Sequence, residues 1–242
     1  MTSQVFASQG KMVKKTLIGF GILMAVLSAC QTVSQDPVTR GDVYFHALGC
    51  MQCHQIGNQG GTWGPNLTFI GFRKSPQWLT LWLKSPHSWN QKTVMPNFHL
   101  SQDELTSLVA YLSAQKGQAW TAAERPWNKP GLTALERGHI LFNKAGCVAC
   151  HGQDGRGGYP NNNVVGGQIP GLTQVSLGYS RRELIRKITN GVPQPAPADP
   201  NKPLPMIFMP SWGKVLSQSE ISDVADYLLS LGPKPSSSAD SF

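Results

Sequence analysis

Two short runs concentrate most of the reactive side chains of this chain. "GCMQCHQIG" (49–57) holds Cys50, Cys53 and His54, and "GCVACHGQDG" (146–155) repeats the pattern with Cys147, Cys150 and His151. A Cys-x-x-Cys-His run can serve as half of a metal site, a redox dithiol, a disulfide or a haem attachment site. The first three leave something unused. A redox-active Cys-x-x-Cys ring gives no role to a histidine directly after the second cysteine. Two pairs of a zinc ribbon sit roughly 15–20 residues apart, whereas here each pair lies in its own domain-sized segment.

Covalent haem uses every residue of the run. Side chains three apart on a helical turn face the same way, so both thiols reach the two vinyl groups of one porphyrin, and the next residue turns its imidazole toward the iron. Cys-x-x-Cys-His is the attachment signature of c-type haem. Two copies predict two covalently attached haem c groups, on Cys50 and Cys53 and on Cys147 and Cys150, with His54 and His151 as iron ligands.

Helices must position these runs, and the surroundings repeat accordingly. "RGDVYFHALGC" (40–50) aligns with "RGHILFNKAGC" (137–147) without a gap. Asp36-Pro37 reads as an N-cap followed by proline at the first helical position, and Thr133 with Glu136 as a capping box. Each unit thus opens with a helix that runs into its motif. Each also closes on a matched helix, "LSQDELTSLVAYL" (100–112) and "LSQSEISDVADYL" (216–228). Ser101 with Glu104 and Ser217 with Glu220 form capping boxes, and apolar residues recur at 105, 108, 109, 112 and at 221, 224, 225, 228 on one helical face. Shorter helices are expected near Pro76–Lys84 and Ser180–Asn190, and no strand pattern is convincing. Trp63, Trp78, Trp82 and Trp212 read as pocket and core packing.

On these residues each half resembles a class I cytochrome c domain. The fold class implied is all-α: two tandem class I cytochrome c domains, each a small helical fold wrapped around one covalent haem, over 36–113 and 133–231 with a linker at 114–132. In that family a glycine and an aromatic of the first helix pack on an aromatic of the last. Gly41 and Phe45 with Tyr111, and Gly138 and Phe142 with Tyr227, match those positions. The resemblance further implies a distal methionine. "VMPNF" offers Met95 and "FMPSW" offers Met209, each held off helical geometry by the proline after it, with Met206 a competitor for Met209. It also implies a proline carbonyl that accepts from the proximal imidazole: Pro65 in "GPNL" and Pro170 in "IPGL". His and Met ligation suits electron transfer at raised potential. Of the other histidines, His46, His87, His99 and His139 read as surface or structural, with His99 a reserve ligand.

The units differ in the second half of the second one, which adds a Gly-rich stretch after His151 and a proline-rich insertion, "VPQPAPADPNKPLP" (192–205). The insertion reads as a stiff exposed loop, and Arg181, Arg182, Arg186 and Lys187 as a basic cluster facing solvent or an acidic partner.

The formal net charge of +8 includes Lys11, Lys14 and Lys15, which precede the apolar run 17–29. Basic, apolar and small-residue regions in that order read as an export signal, with Met1 and Met12 both open as the start. The remaining charge is spread thinly, so no nucleic-acid partner is expected. "LSAC" (27–30) resembles the lipobox of bacterial lipoproteins, making residues 1–29 the signal and Cys30 the acylated first residue of the mature chain. Acyl chains contribute about 0.8 kcal/mol per buried methylene. With Gln31 after the cysteine, the same resemblance implies the outer membrane if the source has one, and 232–242 reads as a disordered polar tail. The expectation is therefore a periplasmic, membrane-anchored dihaem cytochrome that passes single electrons between redox protein partners and requires no small-molecule substrate. Its alternatives are a cytochrome subunit of a dehydrogenase or terminal oxidase complex and a dihaem peroxidase.

Overall fold

The computed structural model describes residues 36–233. The signal, Cys30 and its tether, and the tail from 234 onward lie outside the described residues.

Six longer helices carry the fold: α1 (Pro37–Ala47), α2 (Pro76–Lys84), α3 (Gln102–Ala114), α4 (Ala134–Lys144), α5 (Arg181–Asn190) and α6 (Gln218–Ser230). Their starts follow from side-chain chemistry. Proline opens α1 and α2, where the missing N–H costs nothing. Capping boxes open α3, α4 and α6, and a fourth, Ser180 with Glu183, opens α5. In each box the hydroxyl accepts from the glutamate N–H while the carboxylate accepts from the cap residue N–H, satisfying two of the four donors a helix start leaves open.

Each half crosses its first helix over its last. At Gly41 a Cβ would run into the Ser107 carbonyl and Tyr111, and at Gly138 into the Asp223 carbonyl and Tyr227. Only glycine lets the backbones approach so closely. One turn on, Phe45 meets Tyr111 and Phe142 meets Tyr227, both with ring centroids 5.5 Å apart. Arg40 bonds Asp103 across the first crossing, and Arg137 grips Asp223 with two hydrogen bonds across the second. The strand content among the described residues is one small hairpin, Gln55–Ile56 paired with Gln59–Gly60. It arises where Gly57 and Gly60 adopt positive φ and turn the chain back beneath the first motif.

The two halves do not keep their cores to themselves. From Pro37 on, the described residues form one compact unit. Phe69 of the first half joins the core of α4, α5 and α6, with Trp212 6.0 Å away and Phe72 5.3 Å from the same indole. Ile207 of the second half is 2 % exposed inside the core of α1, α2 and α3. Residues 114–132 pack as well. Trp127 is fully buried, and its indole N–H and the Arg125 guanidinium both donate to Glu220 Oε1 at 2.6 Å. Trp120 reaches back to Asn58 at 3.0 Å. No helix of the described residues is long and apolar enough to cross a membrane.

Candidate haem sites

Each Cys-x-x-Cys-His run lies just beyond the opening helix of its half. Cys50 starts a short 3₁₀ turn after Gly49, whose φ of 74° ends α1, and His54 follows with its N–H on the Cys50 carbonyl. Val148–His151 forms one α-helical turn, with the His151 N–H on the Cys147 carbonyl. The i to i+4 bond is the same in both, so cysteines and histidine are presented alike.

Both imidazoles are oriented from behind. His54 Nδ1 lies 2.9 Å from the Pro65 carbonyl and His151 Nδ1 lies 3.3 Å from the Pro170 carbonyl. Such a contact fixes the tautomer and leaves Nε2 as the free ring nitrogen able to donate to a metal. Burial pushes both histidines below their ordinary range, with the proline carbonyls as smaller opposing influences, so the neutral form is favoured. Gly64 allows this packing at the first site, since a Cβ there would press on the His54 ring.

The methionines separate by position. Met209 lines a cavity of about 680 Å³ together with Cys147, Cys150 and His151, on walls that include Phe142 and Trp212. Met206 does not line it; it packs against the core of the first half. Met95 packs on that core with Cys50 and Leu48, and the Trp82 indole N–H lies 3.0 Å from its sulfur. His99 is exposed. The expectation for tryptophan holds for Trp78 and Trp212, both buried, and for the half-buried Trp82, but not for Trp63, which is 93 % exposed. Its neighbours in "GTWGP" are turn formers, and no apolar periodicity surrounds it.

Two cations near these sites had no signal in the sequence pattern. Arg73 and Lys74, at the end of the one-turn helix Ile70–Arg73, are 3 % and 4 % exposed. Burial depresses the Arg73 guanidinium and pushes the Lys74 ammonium down to about 8. Lys74 Nζ sits 4.1 Å from the Trp78 ring and 5.1 Å from Tyr159, beside the Cys150 thiol. A haem fits these residues. It brings a flat apolar macrocycle for the cavity, thioethers where the thiols now stand, and carboxylates that suit buried cations.

The asparagines at 161–163 were also silent. Asn161 exchanges two hydrogen bonds with Ile207, Asn162 binds the Leu204 carbonyl and the Met206 N–H, and Asn163 binds around Asp199 and Pro203. The proline-rich insertion is thereby stitched down. The Val192 N–H closes it onto the Met209 carbonyl at 2.8 Å. In the basic cluster Arg181 is paired with Asp226 through two hydrogen bonds.

The cytochrome c family model matches residues 38–116 and 135–232, and the chain belongs to that family. Its fold is all-α, with tandem cytochrome c domains, and membership carries haem binding and electron transfer with it. A cytochrome c oxidase subunit 2 from Alkalihalophilus pseudofirmus is 30% identical over 86 residues, covering 32% of this chain and 25% of that protein. The chain thus spans about a quarter of the curated relative it matches. A solved chain of the Kuenenia stuttgartiensis reducing HAO-like protein complex is 18% identical, with 80% of this chain and 96% of that one covered at a TM-score of 0.29. An overlap that loose bears on neither fold nor role.

Proposed function

We propose that this chain is a dihaem c-type cytochrome that carries single electrons between redox protein partners on the outer side of the cytoplasmic membrane. The observation that carries this reading is the duplicated arrangement itself: each Cys-x-x-Cys-His run has its imidazole turned by a proline carbonyl. Cys50 and Cys53 would hold one haem and Cys147 and Cys150 the other. His54 with Met95, and His151 with Met209, would be the axial pairs. Haem supplies the one-electron chemistry when bound. The chain's own work is to hold ligands at fixed orientation and to keep water from the macrocycle. Met209, rather than Met206, is the second distal ligand because it shares the cavity with His151.

Export and lipidation at Cys30 complete the reading, and would keep the protein at a periplasmic membrane surface. A second reading, a cytochrome subunit of a larger oxidase or dehydrogenase, draws on the relative named as an oxidase subunit. A peroxidase needs one iron with an open distal position, which a methionine on each iron would close.

The test is haem quantification and spectroscopy on protein matured in a periplasm. Two low-spin haems per chain with the methionine–ferric charge-transfer band are expected. One haem per chain, or a high-spin haem that turns over peroxide, would overturn the reading. Co-purification of the membrane-extracted protein with a stable larger assembly would favour the subunit role over the free carrier.

A further inference from the structure

Outside the ligand sets, Arg73 is a buried cation that hydrogen-bonds to both halves. It belongs to the first half by sequence, yet it lines the cavity around Cys147, Cys150 and His151. Its Nη2 donates to the Asn66 carbonyl at 2.9 Å and its Nη1 to the Gly146 carbonyl at 3.2 Å. Asn66 directly follows Pro65, whose carbonyl holds His54, and Gly146 directly precedes Cys147. One guanidinium therefore closes a continuous chain of covalent and hydrogen bonds from the imidazole of one site to the attachment cysteine of the other.

Three further facts set this apart from ordinary packing. Arg73 is 3 % exposed and its Nε has no partner. Asn66 and Gly146 oppose it with carbonyl groups, so its hydrogen-bond partners among the described residues are dipoles rather than a carboxylate. A Cβ on Gly146, whose φ is 87°, would strike the guanidinium, so the backbone of the second motif is shaped to admit it. Burying a charge this way is costly, and hydrophobic packing would close the same contact between halves at lower cost.

We infer that Arg73 is a shared positioning residue of both haem sites, coupling the two irons electrically across the boundary between the halves. The inference rests on the dihaem reading above. A fixed positive charge near an iron favours its ferrous form, and in a low-dielectric interior it does so for both sites at once. It also lies on the bonded route between them. With both haems bound, the exchange it would serve moves one electron and no atoms, one iron being oxidised as the other is reduced, and the guanidinium would keep its charge.

The experiment is a spectroelectrochemical titration of the full dihaem protein, with Arg73→Gln and Arg73→Lys beside wild type and haem content measured for each. Flash reduction adds the rate at which the two haems equilibrate. Arg73→Gln should lower both midpoint potentials. Arg73→Lys should restore them while equilibration stays slower than wild type, since one ammonium cannot span two opposed carbonyls. A shift confined to either haem, or none, overturns the inference. If Arg73→Gln fails to mature, Arg73→Lys decides: wild-type equilibration overturns the bonded route. Fewer than two haems in wild type would instead defeat the dihaem reading.

Discussion

The first and second halves solve the same problem with different amounts of chain. Between His54 and Met95 the first half uses a hairpin, a proline-flanked helix and a short loop. Between His151 and Met209 the second inserts a Gly-rich stretch and the 192–205 segment. The helix crossings are nearly superposable in their chemistry, Gly41 against Ser107 and Gly138 against Asp223. The distal sides share only a methionine before a proline. Closing a longer loop costs little entropy, since each doubling adds only about 0.6 kcal/mol. What a longer loop loses is definition, and Asn161, Asn162 and Asn163 restore it by binding the backbone from Asp199 to Ile207. An element free to vary in length is here held by polar stitching to its backbone, whereas the crossing helices meet through glycine and aromatic contacts with an arginine–aspartate pair across each.

The comparison breaks most visibly at the attachment cysteines. Replacing Cys50 and Cys53 by Ala should cut haem content from two per chain to one, read by pyridine haemochrome, with the second site still low-spin. If both haems vanish, the halves do not mature independently. Next in size, Met209→Ala should remove about half of the methionine–ferric charge-transfer absorbance, while Met206→Ala leaves that band whole. Met206→Ala should instead cost roughly 1–3 kcal/mol in denaturant melts, because it is half-buried packing on the first core.

A third effect separates two capping glutamates that look alike in sequence. Glu220 anchors Trp127 and Arg125 besides capping α6, whereas the half-buried Glu104 bonds, among the described residues, only its own cap residue, Ser101. Glu220→Gln should destabilise by about 2–3 kcal/mol, and Glu104→Gln by less. Burial pushes the Glu220 carboxyl up, but the Ser217 N–H, Trp127 and Arg125 together hold it below the ordinary carboxylate range. A depressed acid binds its proton more weakly folded than unfolded. Its contribution is then complete above the unfolded value near pH 4.5 and lost as pH falls through the folded one. The acid limb of a stability–pH curve should flatten in Glu220→Gln. The smallest effect is expected at Asn163→Ala, about 1 kcal/mol, seen as faster protease cleavage within 192–205 and an unchanged haem spectrum.

Much of this was legible from residue types and spacing, because the interactions involved are local. Capping boxes at Ser101, Thr133 and Ser217 span three residues, and the apolar face of α6 repeats within a few turns. The contacts of His54 with Pro65 and His151 with Pro170 were anticipated by resemblance to a family rather than by any local rule. Residues 114–132 read as a connection, yet Trp127 is a core residue. A single tryptophan between prolines has no period to betray its burial.

The sequence by itself determined the helices, the two Cys-x-x-Cys-His runs and a methionine before a proline in each half, since these depend on neighbours a few bonds away. Only the tertiary structure put Met209 in the cavity with His151 and Met206 on the other core, joined Phe69 and Ile207 to the opposite cores, and brought Arg73 to Gly146. Those outcomes depend on how two helical units pack together. A side chain's exposure at such a boundary is set by a surface many tens of residues away, which no local pattern encodes.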